Sequence, residues 1–453
     1  MCLRWTRGLL GVSFVLGVLI PLTSSSALVM GQQTQVEVLV IFTGQSLDAF
    51  RKVAAAFEEK NPGITVLVDR PPNLVEVLVS RIKAGNPPDI SVIPNPGQLK
   101  EFVAGIAQPG VSDVVSLEFL RQLLEQEHPK GFVDLGTFSG PDGIERIYGL
   151  LFSANVKSLV WHNPNVLGQG FELGSWNELL AFTKGAAAAG KTAWCIGLES
   201  AGGSGWPGTD WIEDIMLRTA GPEVYDQWIA HDIPWTDARI KNAFEMFGQI
   251  ARNPQFVLGG PQGVLSINFA VSPNGLFTSP PGCLLHHQAS FIQTFIQQAN
   301  PSLHPVEDFN IFLFPPIDPA LGNPLLGGGS IIGLLKDSEI NRKFMEFLAS
   351  ADGQQIWVNA GGQEPPTNRT VDLSALDPIS MRVTELMRGA EAFRFDASDL
   401  MPSAIGSGVF WTAVLDYVSG ADVCDVLRKL EATSEQIYTS GAATNGIVEP
   451  GAC

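Results

Sequence analysis

The residues able to do chemistry are few, and their grouping does not favour catalysis. Gly203-Ser204-Gly205-Trp206-Pro207-Gly208 has the GxGxxG spacing of a dinucleotide turn and stands between an apolar stretch and a helical one. The residues inside it argue against a phosphate. Pro207 lacks an amide donor, Trp206 fills the space a pyrophosphate needs, and Asp210 puts negative charge at the helix start. Asp210, Glu213 and Asp214 could be read as glycosidase carboxylates, but a catalytic pair usually spans separate elements. Asp210-Trp211-Ile212-Glu213 reads more simply as a capping box opening a helix through Met216-Leu217. No GxSxG elbow or HExxH motif occurs, and His286-His287 has no second cluster to complete a metal site. The sequence therefore predicts no cofactor and no metal.

Aromatic residues are the stronger signal. Trp206 lies between glycines and Pro207, outside any periodic core stripe, and Trp411 follows the open stretch Gly406-Ser407-Gly408-Val409-Phe410. Trp176, Trp194 and Trp357 are expected in the core. A sugar offers flat C–H faces and a rim of hydroxyls. It asks for an aromatic plate with polar partners around it, so Trp206 and Trp411 are candidate ligand contacts.

The elements that must position them alternate in type. Val36–Phe42 reads as a buried strand, and Thr43-Gly44-Gln45-Ser46 turns into a helix carrying Ala49, Phe50, Val53, Ala54 and Phe57. Asn61-Pro62-Gly63 stops that helix. The strand Ile64–Val68, a helix through Leu74, Leu78 and Ile82, and the strand Asp89–Ile93 complete a βαβαβ unit, which implies parallel strands. Further strands are predicted at Tyr148–Phe152, Leu159–Trp161, Ala193–Leu198 and Phe309–Phe314. Ser175-Trp176-Asn177-Glu178 is a capping box, Gly327–Gly329 a turn, Phe344–Leu348 part of a helix, and Ser380–Leu430 mostly helical. A chain of 453 residues exceeds what one core normally covers, so two lobes joined by short crossings are expected.

The N-terminus has Arg4 and Arg7, then the apolar run Leu9–Ile20, Pro21 and the small residues Ser24–Ala27. That order is a cleaved export signal over residues 1–31, and the apolar run is short of the ~20 residues a membrane span needs. The formal net charge of −18 becomes −20 once the two arginines leave. So acidic a product is a poor partner for nucleic acid or an anionic membrane. Cys195, Cys283, Cys424 and Cys453 remain, an even count in an exported chain, with three possible pairings. Cys195–Cys283 and Cys424–Cys453 are the favoured ones, because Cys195 sits on an apolar strand and Cys283 starts another apolar stretch.

With these residues in view, the chain resembles the extracellular solute-binding proteins of carbohydrate ABC importers, of the maltose and α-glucoside type. The likeness runs through Val36–Phe57, Ala84-Gly85-Asn86-Pro87-Pro88-Asp89-Ile90 and Val156–Trp161. It is most specific at Trp194–Glu199, Gly205–Asp214, His287-Gln288-Ala289-Ser290-Phe291, and Phe395-Asp396 through Asp399–Pro402 to Trp411. The resemblance implies a two-lobed α/β periplasmic-binding-protein fold (type II), each lobe a layered sheet, with sugar in the cleft between them. By matching positions, lobe one covers 36–153 plus 315–362 and lobe two 154–314 plus 363–453. The implied ligand residues are Gly44, Gln45 and Asn95 from lobe one, and Trp206, His287, Gln288 and Trp411 from lobe two. Pro94-Asn95-Pro96 departs from the maltose type, which carries an aromatic in that turn. The implied function is a monomeric, non-enzymatic periplasmic or extracellular protein that captures a sugar by hinge closure and delivers it to the membrane permease. The alternatives are a secreted glycoside hydrolase and a same-fold binder of a polyamine, peptide or metal ion.

Overall fold

In β1 (Thr34–Leu39) the side chains of Val36 and Val38 are fully buried while Glu37 between them points outward to Arg81. Helix α1 (Gly44–Lys60) follows and buries Ala49, Phe50, Val53, Ala54 and Phe57 on one face. Then come β2 (Ile64–Asp69), α2 (Leu74–Lys83), β3 (Ile90–Ile93) and α3 (Pro96–Ala104). The strands pair in parallel with β1 in the centre, as the βαβαβ spacing predicts. This computed structural model describes residues 34–439 and Cys453; the predicted leader lies outside the described residues.

A small hairpin, β4 (Thr137–Ser139) and β5 (Glu145–Ile147), precedes β6 (Gly149–Val156) and β7 (Leu159–His162). Further strands are β8 (Leu285–His287), β9 (Asn310–Leu313), β10 (Leu325–Leu334) and β11 (Phe393–Phe395). Two principal sheets result. The larger has the order β11-β10-β3-β1-β2, with β6 antiparallel to β10; the smaller has the order β8-β7-β9. Each has its own core. Phe42, Phe50, Phe152, Phe344 and Trp357 pack beside the larger sheet, and Trp176, Trp194, Trp211, Trp228 and Phe247 beside the smaller.

The chain crosses between the sheets at Lys157-Ser158, the two residues separating β6 from β7, and again between β9 and β10. The edge strand Phe393–Phe395, which the resemblance assigns to lobe two, pairs with Leu325–Gly327 of β10 in the larger sheet. Both favoured disulfides form: Cys195–Cys283 beneath the smaller sheet and Cys424–Cys453 on the last helix. Among the described residues no helix is long and apolar enough to cross a membrane.

Three expectations need correcting. Gly327–Gly329 do not turn; they lie inside β10. A Cβ on Gly327 would stand 2.1 Å from the Phe393 ring, and one on Gly329 would stand 2.5 Å from the Ser153 carbonyl oxygen. These glycines exist for close approach, not for chain reversal. Ala193–Leu198 is extended, but it makes only isolated bridges, at Trp194 to Val257 and Leu285. Finally, Asp210 caps nothing. The helix begins at Trp206, after Gly205 in the left-handed region (φ 112°), so Asp210 and Glu213 fall inside it. At Ser175, by contrast, the hydroxyl accepts from the Glu178 amide as a capping box requires.

Candidate functional site

Among the described tryptophans, Trp161, Trp176, Trp194, Trp211, Trp228, Trp235 and Trp357 are buried; only Trp206 and Trp411 are half-exposed. The Trp206 ring leans on Phe269 and Phe291, with centroids 5.0 and 5.9 Å away. Trp411 starts the helix Trp411–Ser419, which continues directly from a π-helical turn, Ala404–Phe410. Such wide turns are common at functional sites because they redirect a side chain. The two indoles converge: a Cβ on Gly203 would lie 3.6 Å from Trp206 Cδ1 and 3.6 Å from Trp411 Cζ3. The glycines of the GxGxxG stretch permit this meeting. A Cβ on Gly205 would strike the Trp411 carbonyl at 2.3 Å, and one on Gly208 would strike Val414 at 2.5 Å. Trp411 Nε1 is buried and has no hydrogen-bond acceptor. A donor in that condition is costly unless something arrives to accept from it.

Residues of the larger sheet reach across to meet this half. Gly44, at the start of α1, faces Gln298 and Thr294 of the helix Ile292–Ala299. Gln45 is exposed, and its Oε1 lies 3.4 Å from the Gln363 amide nitrogen, which also donates to Gln297. Asn95, before Pro96 at the head of α3, donates its amide to Asp399. Glu76 of α2 approaches Gly202, where a Cβ would lie 2.7 Å from the carboxylate oxygen.

His287 and Gln288 sit deeper. His287 is 4 % exposed, packs against Trp211 (4.5 Å) and Phe314 (4.8 Å), and places Nε2 3.1 Å from Asp214. Burial holds this imidazole below its usual pKa. Asp214 in turn pairs with Arg218 and accepts from the Ser158 hydroxyl at 2.7 Å. The Gln288 carboxamide oxygen accepts from the Ala289 amide, and its backbone carbonyl from Trp161 Nε1. Both residues thus lie in the interior of the smaller sheet; His287 Nδ1 is buried without a partner, and the Gln288 carboxamide engages through its oxygen alone.

Sequence reasoning missed the charge cluster between the sheets. Lys157 Nζ pairs with Asp210 at 2.8 Å and with Asp396. Glu213, buried, and Asp399, half-buried, complete a group of four carboxyls around one ammonium. Burial pushes Glu213 and Asp399 well above the ordinary carboxyl range, and Asp396 adds to the effect on both. Asp210 is pushed up to about 7, chiefly by burial, against the opposing pull of Lys157. At Asp396, burial acts upward but the ammonium prevails and the carboxylate stays ionised. Oxygens of Asp210, Glu213 and Asp396 lie within 4.8 Å of one another, a spacing that suits a metal. The Lys157 ammonium already bonds two of the three, and Glu213 Oε1 accepts from the Ser398 amide.

Residues 43–268 match the model of the bacterial extracellular solute-binding protein family. The chain is 37% identical over 400 residues to the osmoprotective compounds-binding protein GgtB of Synechocystis, spanning 88% of this chain and 91% of that one. The chain belongs to the bacterial extracellular solute-binding proteins. It is also 38% identical over 416 residues to the alpha-glucosides-binding periplasmic protein AglE of Rhizobium meliloti, covering 90% of this chain and 89% of the relative. The fold matches the solute receptor AcbH with a TM-score of 0.75 at 15% identity, over 90% of this chain and all (100%) of that one. A chitin oligosaccharide binding protein matches at 0.74 and 19%, again over 90% of this chain and 100% of the other. Membership explains the two-sheet α/β architecture with several chain crossings, the two-lobed form of those receptors.

Proposed function

We propose that this solute-binding protein captures a small uncharged glycoside, of the α-glucoside kind, between its two lobes and hands it to an ABC permease. It does so outside the cytoplasmic membrane, as a monomer, after loss of its leader, and without breaking a bond. The meeting of Trp206 and Trp411 beside Gly203 carries this reading: two indole faces and one unpaired N–H are what a hydroxylated ring would use. Gly44, Gln45 and Asn95 would supply polar contacts from the opposite lobe. A Kd near ~1 µM corresponds to about −8 kcal/mol, within reach of two stacked rings and a few hydrogen bonds in a dehydrated cleft. The bound form would bring the lobes together by hinge closure.

A glycoside hydrolase needs one carboxylic acid and one carboxylate flanking an open bond. Asp210 and Asp396 instead share an ammonium inside the protein, which favours binding over turnover. The names of AglE and GgtB point the same way, toward binding of alpha-glucosides and of osmoprotective compounds.

Sucrose, trehalose and maltose, each tested by isothermal titration and thermal shift, decide the matter. At a hundredfold excess over Kd, the right sugar stabilises the protein by about 2.7 kcal/mol. Putrescine, a tripeptide and zinc leave the melting temperature unchanged. A shift with one of those three and with no sugar would overturn the carbohydrate reading. Release of glucose from any of the sugars would overturn capture without bond breaking and favour a hydrolase.

A further inference from the structure

We propose that Lys157 is a positioning residue for Trp206, through which the strands that cross between the lobes fix the plane of that indole. The proposal rests on the reading above only for its ligand arm. Lys157 occupies the two-residue crossing between β6 and β7, and its backbone amide donates to Leu326 of β10 at 2.8 Å. Its side chain then runs along β10 over Gly328, where a Cβ would come within 3.2 Å of Lys157 Cε. The ammonium ends 5.6 Å from the centre of the Trp206 ring, within cation–π range. Asp210 stands four residues beyond Trp206, on the same face of the same helix, and holds that ammonium at 2.8 Å. Asp396, directly after β11, holds it from the other side. One cation therefore touches the Trp206 helix and two segments of the crossing region. A change in hinge angle moves its anchors and must move the ring or strain the ion pairs.

A lysine that merely neutralised Asp210 and Asp396 would affect stability and leave the ring alone. Asp210→Asn separates the two roles, since it removes one ion pair, keeps the side-chain shape and leaves Asp396 in place. The first measurement needs no ligand. Acrylamide quenching of Trp206 emission is taken as the difference between each full-length mature protein and its Trp206→Phe partner. The Trp206 signal is expected to become about twofold more quenchable in Asp210→Asn, as the ring loosens from the cation. Unchanged quenching overturns the proposal.

The second measurement is a double-mutant cycle on trehalose, sucrose and maltose affinity. Asp210→Asn is expected to weaken binding about tenfold in the parent and by less than about twofold when Trp206 is already alanine. An equal loss in both backgrounds also overturns it. If the parent binds none of the three sugars, the carbohydrate reading fails while quenching still decides the role of Lys157. Should Asp210→Asn fail to fold, Lys157→Arg keeps the charge but displaces it. The same two comparisons then apply, and unchanged quenching or equal losses overturn the proposal there as well.

Discussion

Alanine at both Trp206 and Trp411 lowers the affinity for the bound glycoside about a hundredfold, and each single change lowers it about tenfold. An indole stacked on a sugar ring contributes ~0.5–1.5 kcal/mol beyond the area it buries, and about 1.4 kcal/mol is a factor of ten. A hundredfold is the value for independent losses; the rings converge on Gly203, and any departure from that product measures their coupling. Calorimetry of the three variants gives the numbers. A melting temperature close to the parent's certifies the fold, because both rings are half-exposed and neither fills a core. Trp411→Phe divides plate from donor. It keeps an aromatic face and removes the unpaired Nε1–H, costing about 1 kcal/mol of binding if a ligand oxygen accepts there. Affinities within twofold of the parent in both alanine variants would remove the stacking argument.

The half of the fold built by local rules was legible in the sequence. Val36–Phe57, Ile64–Val68 and Asp89–Ile93 carry strand and helix periods set by neighbours in sequence, and they formed as expected. Ser175 with Glu178 capped a helix for the same reason. What failed was wherever distant chain decided the outcome. Gly327–Gly329 look like a turn until Phe393, 66 positions on from the first of them, claims the space a side chain would fill. Asp210 and Glu213 look like caps because the sequence cannot display Lys157, which lies 53 residues before Asp210 and 239 before Asp396. Ring exposure was the readable part of the candidate site. Glycine and proline around Trp206 and Trp411 marked them off from tryptophans at periodic positions, and burial sorted them the same way. His287 offered no such local mark, and its partners Asp214 and Phe314 are remote in sequence.

Glu364→Gln raises stability at pH 8 by about 3 kcal/mol and leaves it unchanged at pH 4. Glu364 lies in the segment following Trp357, where its backbone carbonyl accepts from Trp357 Nε1 and its side chain accepts from the Ser153 hydroxyl and, at 3.5 Å, that of Ser330. Burial pushes the carboxyl up to about 7, and the two serines only partly oppose it. Between the ordinary value of 4.5 and about 7, the folded chain holds a proton there that the unfolded chain has released. Folding stability therefore falls as pH rises through that window, by about 1.36 kcal/mol for each pH unit crossed, and the loss is complete above it. Glutamine resembles the protonated acid: its oxygen can still accept from both serines, and it never ionises. The gap between variant and parent should thus open from pH 4.5 to about 7 and then stay level. Asp210, also raised to about 7, titrates in both proteins and cancels from the difference. Urea unfolding at half-unit pH steps measures the gap. A difference that stays constant from about pH 4 to pH 8 would mean that this carboxyl is solvated, and that the segment beside Ser153 is open to water.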